Sequence, residues 1–143
     1  MESAAQPIMQ VATPSGSLSK KSVWTGRVLS GLVTAFMVFD AVIHLMRPAP
    51  VVEAFAKLGL PLRLAVTLGI IELVCVVLYV IPRASILGAI LLTGYLGGAV
   101  AIQMTTSKSL FGEILFPVYV GVMVWGGLYL RDDRVRTLIP WRR

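Results

Sequence analysis

The sequence predicts an all-α integral membrane protein, a four-helix bundle with a short interfacial helix between helices 1 and 2. Three observations carry that prediction. First, 57% of the 143 residues are hydrophobic and only 14% are charged, and the mean hydropathy is +0.83. Soluble domains are typically about 25% charged and about 45–50% apolar. Second, four apolar runs each approach the roughly 20 residues needed to cross a ~30 Å hydrocarbon core. Third, none of the runs alternates with the period of two that a barrel strand needs, whereas a helix satisfies its own backbone groups in lipid.

The elements follow in order. Residues 1–22 are rich in Ser, Pro, Gln and Ala, show no period and read as a disordered cytoplasmic tail. The next apolar run exceeds the roughly 7–15 residues of a signal-peptide core, so it reads as an uncleaved first span. The spans are placed at about 28–46, with Trp24 at the entrance, 62–81, closed by Pro82, 84–104, and 110–130, with Trp125 and Tyr129 near the end. Residues 23–131 thus form one four-span domain, followed by a basic cytoplasmic tail, 132–143. Between the first two spans, Val51, Val52, Phe55 and Leu58 share a helical face and predict an amphipathic helix lying on the membrane surface. The links at 82–83 and 105–109 are short, which makes the helices they join antiparallel neighbours.

The net charge is +6, from 13 Lys and Arg against 7 Asp and Glu. The basic residues flank the apolar runs, which points to topology and away from nucleic acid. Nine of them (Lys20, Lys21, Arg27, Arg83, Arg131, Arg134, Arg136, Arg142, Arg143) fall on one side and four (Arg47, Lys57, Arg63, Lys108) on the other. The positive-inside rule then places both termini in the cytoplasm. The cluster from Arg131 to Arg134 reads as a solvated cap. The single cysteine, Cys75, sits in an apolar run, can form no intramolecular disulfide or CxxC pair, and reads as a packing residue. Gly94 and Gly98 form a small-xxx-small pair that predicts close helix packing within the bundle, with dimerisation as the alternative.

The polar residues inside the spans are the candidates for function. A charge within lipid costs about 2.5–3.5 kcal/mol on insertion scales. At 1.5 Å per residue, Glu72 lies roughly 15 Å deep, near the midplane, and Asp40 roughly 9 Å below the outer surface. His44 lies one turn beyond Asp40 on the same face. Asp40, His44 and Glu72 together would place two carboxyl groups and an imidazole in one low-dielectric pocket, a set suited to general acid/base work. Tyr95 and Tyr119 at mid-depth, with Gln103 and Glu113 near the outer boundary, are the candidate ligand contacts. The inner half reads as almost purely apolar, so the pocket is expected to open outward or into the outer leaflet. One histidine and scattered carboxylates show no paired-ligand spacing, so no metal centre is expected. No second histidine offers a bis-His haem site, and no Gly-rich phosphate loop is present.

Several segments resemble the DoxX-like family of small four-helix membrane proteins. They are Leu58-Gly59-Leu60-Pro61, Gly69-Ile70-Ile71-Glu72-Leu73, Thr93-Gly94-Tyr95-Leu96-Gly97-Gly98-Ala99-Val100-Ala101, Leu115-Phe116-Pro117, and Trp125-Gly126-Gly127-Leu128-Tyr129-Leu130-Arg131-Asp132. The resemblance covers about 27–140. Relatives often carry a histidine after the Ala-Val-Ala segment, where Gln103 stands here, and another before Leu-Phe-Pro, where Glu113 stands nearby. The resemblance implies a bacterial inner-membrane protein that holds a lipophilic molecule, with a quinone as the candidate, and supports a redox or stress-response complex with a membrane partner. Two alternatives stay open: an enzyme that uses Asp40, Glu72 and His44 for isomerisation or hydration of a hydrophobic substrate, and a proton-coupled transporter. No inverted repeat is visible, so the transporter would need homo-oligomerisation.

Overall fold

The computed structural model describes residues 19–106 and 109–138. They form α1 (Lys20–Met46), α2 (Ala49–Lys57), α3 (Arg63–Val80), α4 (Ser85–Thr106), a π-helical turn (Leu110–Ile114), α5 (Phe116–Arg131) and α6 (Asp133–Leu138), with no strand among the described residues. Helices α1, α3, α4 and the run Leu110–Arg131 are each long and apolar enough to cross a membrane. They close a ring in which α1 packs on α3 and α5, and α4 packs on the same two helices. The expected all-α four-span bundle is therefore present. Its surface carries large apolar side chains such as Trp24, Leu32, Phe39 and Val122, as a lipid-facing surface should. Inside lipid, packing and hydrogen bonds hold such helices together, because burial away from water adds little.

Helix α1 begins at Lys20, before the apolar run, so residues 20–22 of the expected tail are helical. The cause is tertiary: the Ser22 hydroxyl donates to the Leu130 carbonyl at 3.2 Å, tying the first turn to the end of α5. The helix stops at Arg47, whose left-handed φ of 50° lets its N–H reach the Ile43 carbonyl, and Pro48 prevents continuation. Residues 1–18, Lys108, Arg142 and Arg143 lie outside the described residues. So do the last five positions of the expected basic tail, whose start folds as α6.

The buried core runs along the ring axis through Val33, Met37, Cys75, Leu92, Val124 and Leu128. Cys75 is a packed thiol in this core. A second small core, Val51, Phe55 and Ala65, seats α2 across the α1–α3 end of the bundle. The predicted interfacial helix is thus present, and Val51 and Phe55 are its buried face, with Val52 exposed.

Three expectations need correction. The small-xxx-small pair does not pack helices together: a Cβ built on Gly94 or Gly98 meets nothing within 4 Å. The close approach is at Gly88 instead, where a Cβ would lie 2.2 Å from the Tyr79 backbone nitrogen. Spacing alone does not say which way a pair of glycines faces, and these two face open space.

The inner half is also not purely apolar. The buried Tyr79 hydroxyl donates to the Val124 carbonyl at 2.9 Å, leaving Ser30 to donate to it at 3.0 Å. Arg131 donates to the Tyr79 carbonyl at 3.2 Å and lies over its ring at 5.0 Å. A buried hydroxyl without a partner costs about 1–3 kcal/mol, which fixes this set of contacts.

The expected solvated cap is in fact a staple. Arg134 bonds Asp132 at 2.7 Å and the Pro82 carbonyl in the α3–α4 link. Arg136 bonds the Tyr129 carbonyl and Ser22. Hydrogen bonds from Arg134 hold the Asp132 carboxyl below the usual aspartate range, against a smaller opposing effect of burial. A depressed carboxyl stabilises the fold above its unfolded value, near pH 4, and that contribution is lost as pH falls through the folded value. The detergent-solubilised protein is therefore expected to lose more of its thermal midpoint between pH 5 and pH 3 than Asp132→Asn does, and parallel curves would contradict it.

Candidate functional site

The site begins with a close contact between α1 and α3. A Cβ on Gly69 would lie 2.9 Å from the Ala41 carbonyl and 3.1 Å from the His44 Cβ. Only glycine there lets the two helices touch at the depth of the polar residues. One turn further along α3, Glu72 enters the same interface, fully buried.

His44 Nδ1 sits among three oxygens: the Asp40 backbone carbonyl at 3.0 Å, Asp40 Oδ2 at 3.3 Å and Glu72 Oε2 at 3.7 Å. Surrounded by acceptor oxygens, Nδ1 carries a proton and donates it to the Asp40 carbonyl. The Tyr95 hydroxyl, from α4, donates to Glu72 Oε2 at 2.9 Å. Glu72 Oε1 has no hydrogen-bond partner although it is buried. The imidazole is held on its other side by Phe55 of α2, edge-on at 5.9 Å between ring centres.

These groups form the polar end of a cavity of about 410 Å³. Its walls are otherwise apolar, from Met37, Leu60, Leu68, Ile71, Ile102 and Val120 among others, and Gly94 and Gly98 leave one wall without side chains. Phe36 and Phe116, packed edge-on at 5.5 Å, line it and are also exposed, so the cavity reaches the lipid-facing surface between α1 and α5. Asp40, with 39% of its side chain exposed, marks the polar edge of the opening.

Residues 28–127 match the DoxX-like family model. The chain belongs to the DoxX-like family. No curated protein and no solved structure matches it. The matched stretch contains every polar residue of the cavity in this DoxX-like protein.

The site residues expected from the sequence divide into two groups. Asp40, His44, Glu72 and Tyr95 meet directly, and Gln103 lines the cavity beside them. Glu113 and Tyr119 are exposed and do not line it. The π-helical turn at Leu110–Ile114 explains Tyr119. Its i→i+5 bonds, such as Leu115 N–H to the Leu110 carbonyl, shift the face of everything that follows, and Pro117 and Val120 turn inward instead. Depth gave Tyr119 a level in the membrane but no direction. Of the two positions where relatives carry histidine, Gln103 therefore belongs to the cavity and Glu113 does not.

Sequence reasoning missed Phe36, Phe55 and Phe116 as cavity residues. For Phe55 a signal existed, since it lies on the apolar face predicted for α2. A larger groove of about 630 Å³ runs between α4 and α5. Its Thr93 and Trp125 bond each other at 2.9 Å, and it contains no carboxylate or histidine to orient a polar head. The titratable side chains line the smaller cavity.

Proposed function

We propose that this DoxX-like protein holds a lipophilic small molecule with an oxygen-bearing head, of the quinone class, in the cavity between α1, α3 and α4. One observation carries the reading. Glu72 is fully buried at the closed end of an otherwise apolar cavity, with one carboxyl oxygen on Tyr95 and the other unpartnered. A polar group left unsatisfied away from water is costly, and a ligand hydroxyl that donates to Oε1 relieves it. The volume of about 410 Å³ suits a small ligand. The opening at Phe36 and Phe116 supports entry from the bilayer. The bound molecule would serve a redox or stress-response assembly in the inner membrane, with both termini cytoplasmic as the excess of basic residues on that side supports.

Titration of the purified protein with a short-chain benzoquinol, the reduced form of the class, tests this. Saturable binding of one molecule per chain is expected, together with at least tenfold weaker binding of an alkane-substituted benzene lacking the ring oxygens. Equal partitioning of both compounds would overturn it.

The position of His44 Nδ1 between two carboxyl groups favours a second reading, acid/base chemistry on the held molecule. It requires exchange of ligand carbon-bound hydrogen with deuterium in D₂O, lost in Glu72→Gln. A ligand that exchanges at the same rate in both proteins contradicts it.

A further inference from the structure

The polar end of the cavity has a geometry that a lipophilic ligand alone does not require. Asp40, His44 and Glu72 each offer one ligand atom, and these atoms all lie within 4.8 Å of one another. Ligands bound at about 2.0–2.2 Å to one tetrahedral cation stand roughly 3.4 Å apart. His44 Nδ1 is already 3.3 Å from Asp40 Oδ2 and 3.7 Å from Glu72 Oε2. Small side-chain movements would place the three around one ion.

Glu72 supplies the independent observation. Its side chain has no exposure, it lines the cavity, and its Oε1 has no hydrogen-bond partner. Tyr95 donates to Oε2, which keeps a second lone pair facing His44, and Oε1 accepts nothing, so the carboxyl group has lone pairs to offer a cation. A hydrogen bond to a ligating carboxylate is the usual second layer of support at a metal site. Charge points the same way. Among the described residues, the ion pairs of Asp40 and Glu72 are both to His44, with no lysine or arginine pairing either. Two carboxyl groups share this low-dielectric site, and a divalent cation offsets the negative charge they carry when they ligate it.

From this we infer that Asp40, His44 and Glu72 form a binding site for one divalent first-row transition-metal ion. One nitrogen and two carboxylate oxygens suit Mn²⁺, Fe²⁺ or Zn²⁺ better than Ca²⁺ or Mg²⁺, which take oxygen ligands alone. Three protein ligands leave at least one position open toward the cavity. With the ion on the Nδ1 lone pair, the imidazole keeps its proton on Nε2, and the bond to the Asp40 carbonyl is given up. The proposal departs from the expectation of no metal centre. The ligands come from two helices, so no spacing along the chain could display them. The inference shares the polar end of the cavity with the lipophile reading but stands without any lipophile bound.

Cobalt(II) added alone to tag-free, chelator-treated full chain in detergent tests it. After gel filtration the wild type is expected to retain one Co²⁺ per chain, with a visible d–d absorption band. Glu72→Gln and Asp40→Asn are each expected to bind at least tenfold more weakly. Circular dichroism checks that each variant is folded. If Glu72→Gln does not fold, Asp40→Asn at the cavity mouth decides. Wild type that retains no cobalt, or a folded variant that binds it as wild type does, overturns the inference. Organic extraction of the same samples keeps the two readings separable. A retained lipophile without cobalt removes only the metal site, and cobalt without any lipophile removes only the quinone-class reading.

Discussion

Glu72→Gln is expected to weaken binding of the cavity ligand at least tenfold, about 1.4 kcal/mol, while the bundle stays folded. Glutamine keeps the shape of the side chain and an oxygen able to accept from Tyr95, so the α3–α4 contact at 2.9 Å can survive. Its NH₂ group cannot accept. Turned toward His44 it faces the Nδ1–H donor, and turned toward the cavity it presents a donor where the ligand met a carboxyl oxygen. Either orientation sets a donor against a donor and removes the acceptor that the ligand hydroxyl used. Glu72→Leu should do more harm to the fold, because it leaves the buried Tyr95 hydroxyl without its acceptor at about 1–3 kcal/mol. Thermal melts beside ligand titrations separate the two effects. A Glu72→Gln protein with wild-type affinity would mean that Glu72 serves only the α3–α4 contact.

Gly88→Leu is expected to have the largest effect on the fold. A Cβ at position 88 would lie 2.2, 2.5 and 2.7 Å from backbone atoms of Tyr79 and Leu78. Backbone cannot rotate away as a side chain can, so α4 must move off α3. That movement pulls on Tyr79, which bonds Val124, Ser30 and Arg131 at once. Overpacking in a well-packed core typically costs 1–3 kcal/mol and occasionally more, and this site combines it with loss of buried hydrogen bonds. The expected outcome is aggregation or a strongly lowered thermal midpoint in detergent. Gly31→Ala is the control. A Cβ there meets nothing within 4 Å, and the change should leave α1 unaffected or stabilise it by roughly 0.5–1 kcal/mol. Equal effects at both positions would contradict the packing described.

How much the sequence revealed depended on the kind of signal. Hydropathy marked all four spans because length and apolarity suffice in lipid. It placed the start of α1 late, since Lys20 to Arg27 are helical through contact with α5 and not through apolarity. The fourfold spacing of Asp40 and His44 and the apolar face of α2 are properties of one helix and were visible in it. Whether Glu72 faces them was not. Apolar residues surround it on every side of α3, so no stripe marks the inward face. What turns it inward is Gly69 against Ala41, a contact between two helices that the segment Gly69 to Leu73 does not display by itself. Gly88 was hidden for the same reason, while the conspicuous pair Gly94 and Gly98 proved to shape a cavity wall. The Tyr95–Glu72 bond and the Tyr79 network likewise join residues far apart in the chain.

The most direct test of the central claim, that Glu72 anchors a lipophilic molecule in this cavity, is mass spectrometry of small molecules that copurify with the protein in mild detergent, wild type beside Glu72→Gln. A quinone or other defined oxygen-bearing lipophile present with wild type and depleted at least tenfold in the variant is the predicted result. Identical bulk phospholipid on both proteins, with no defined lipophile on either, would contradict it.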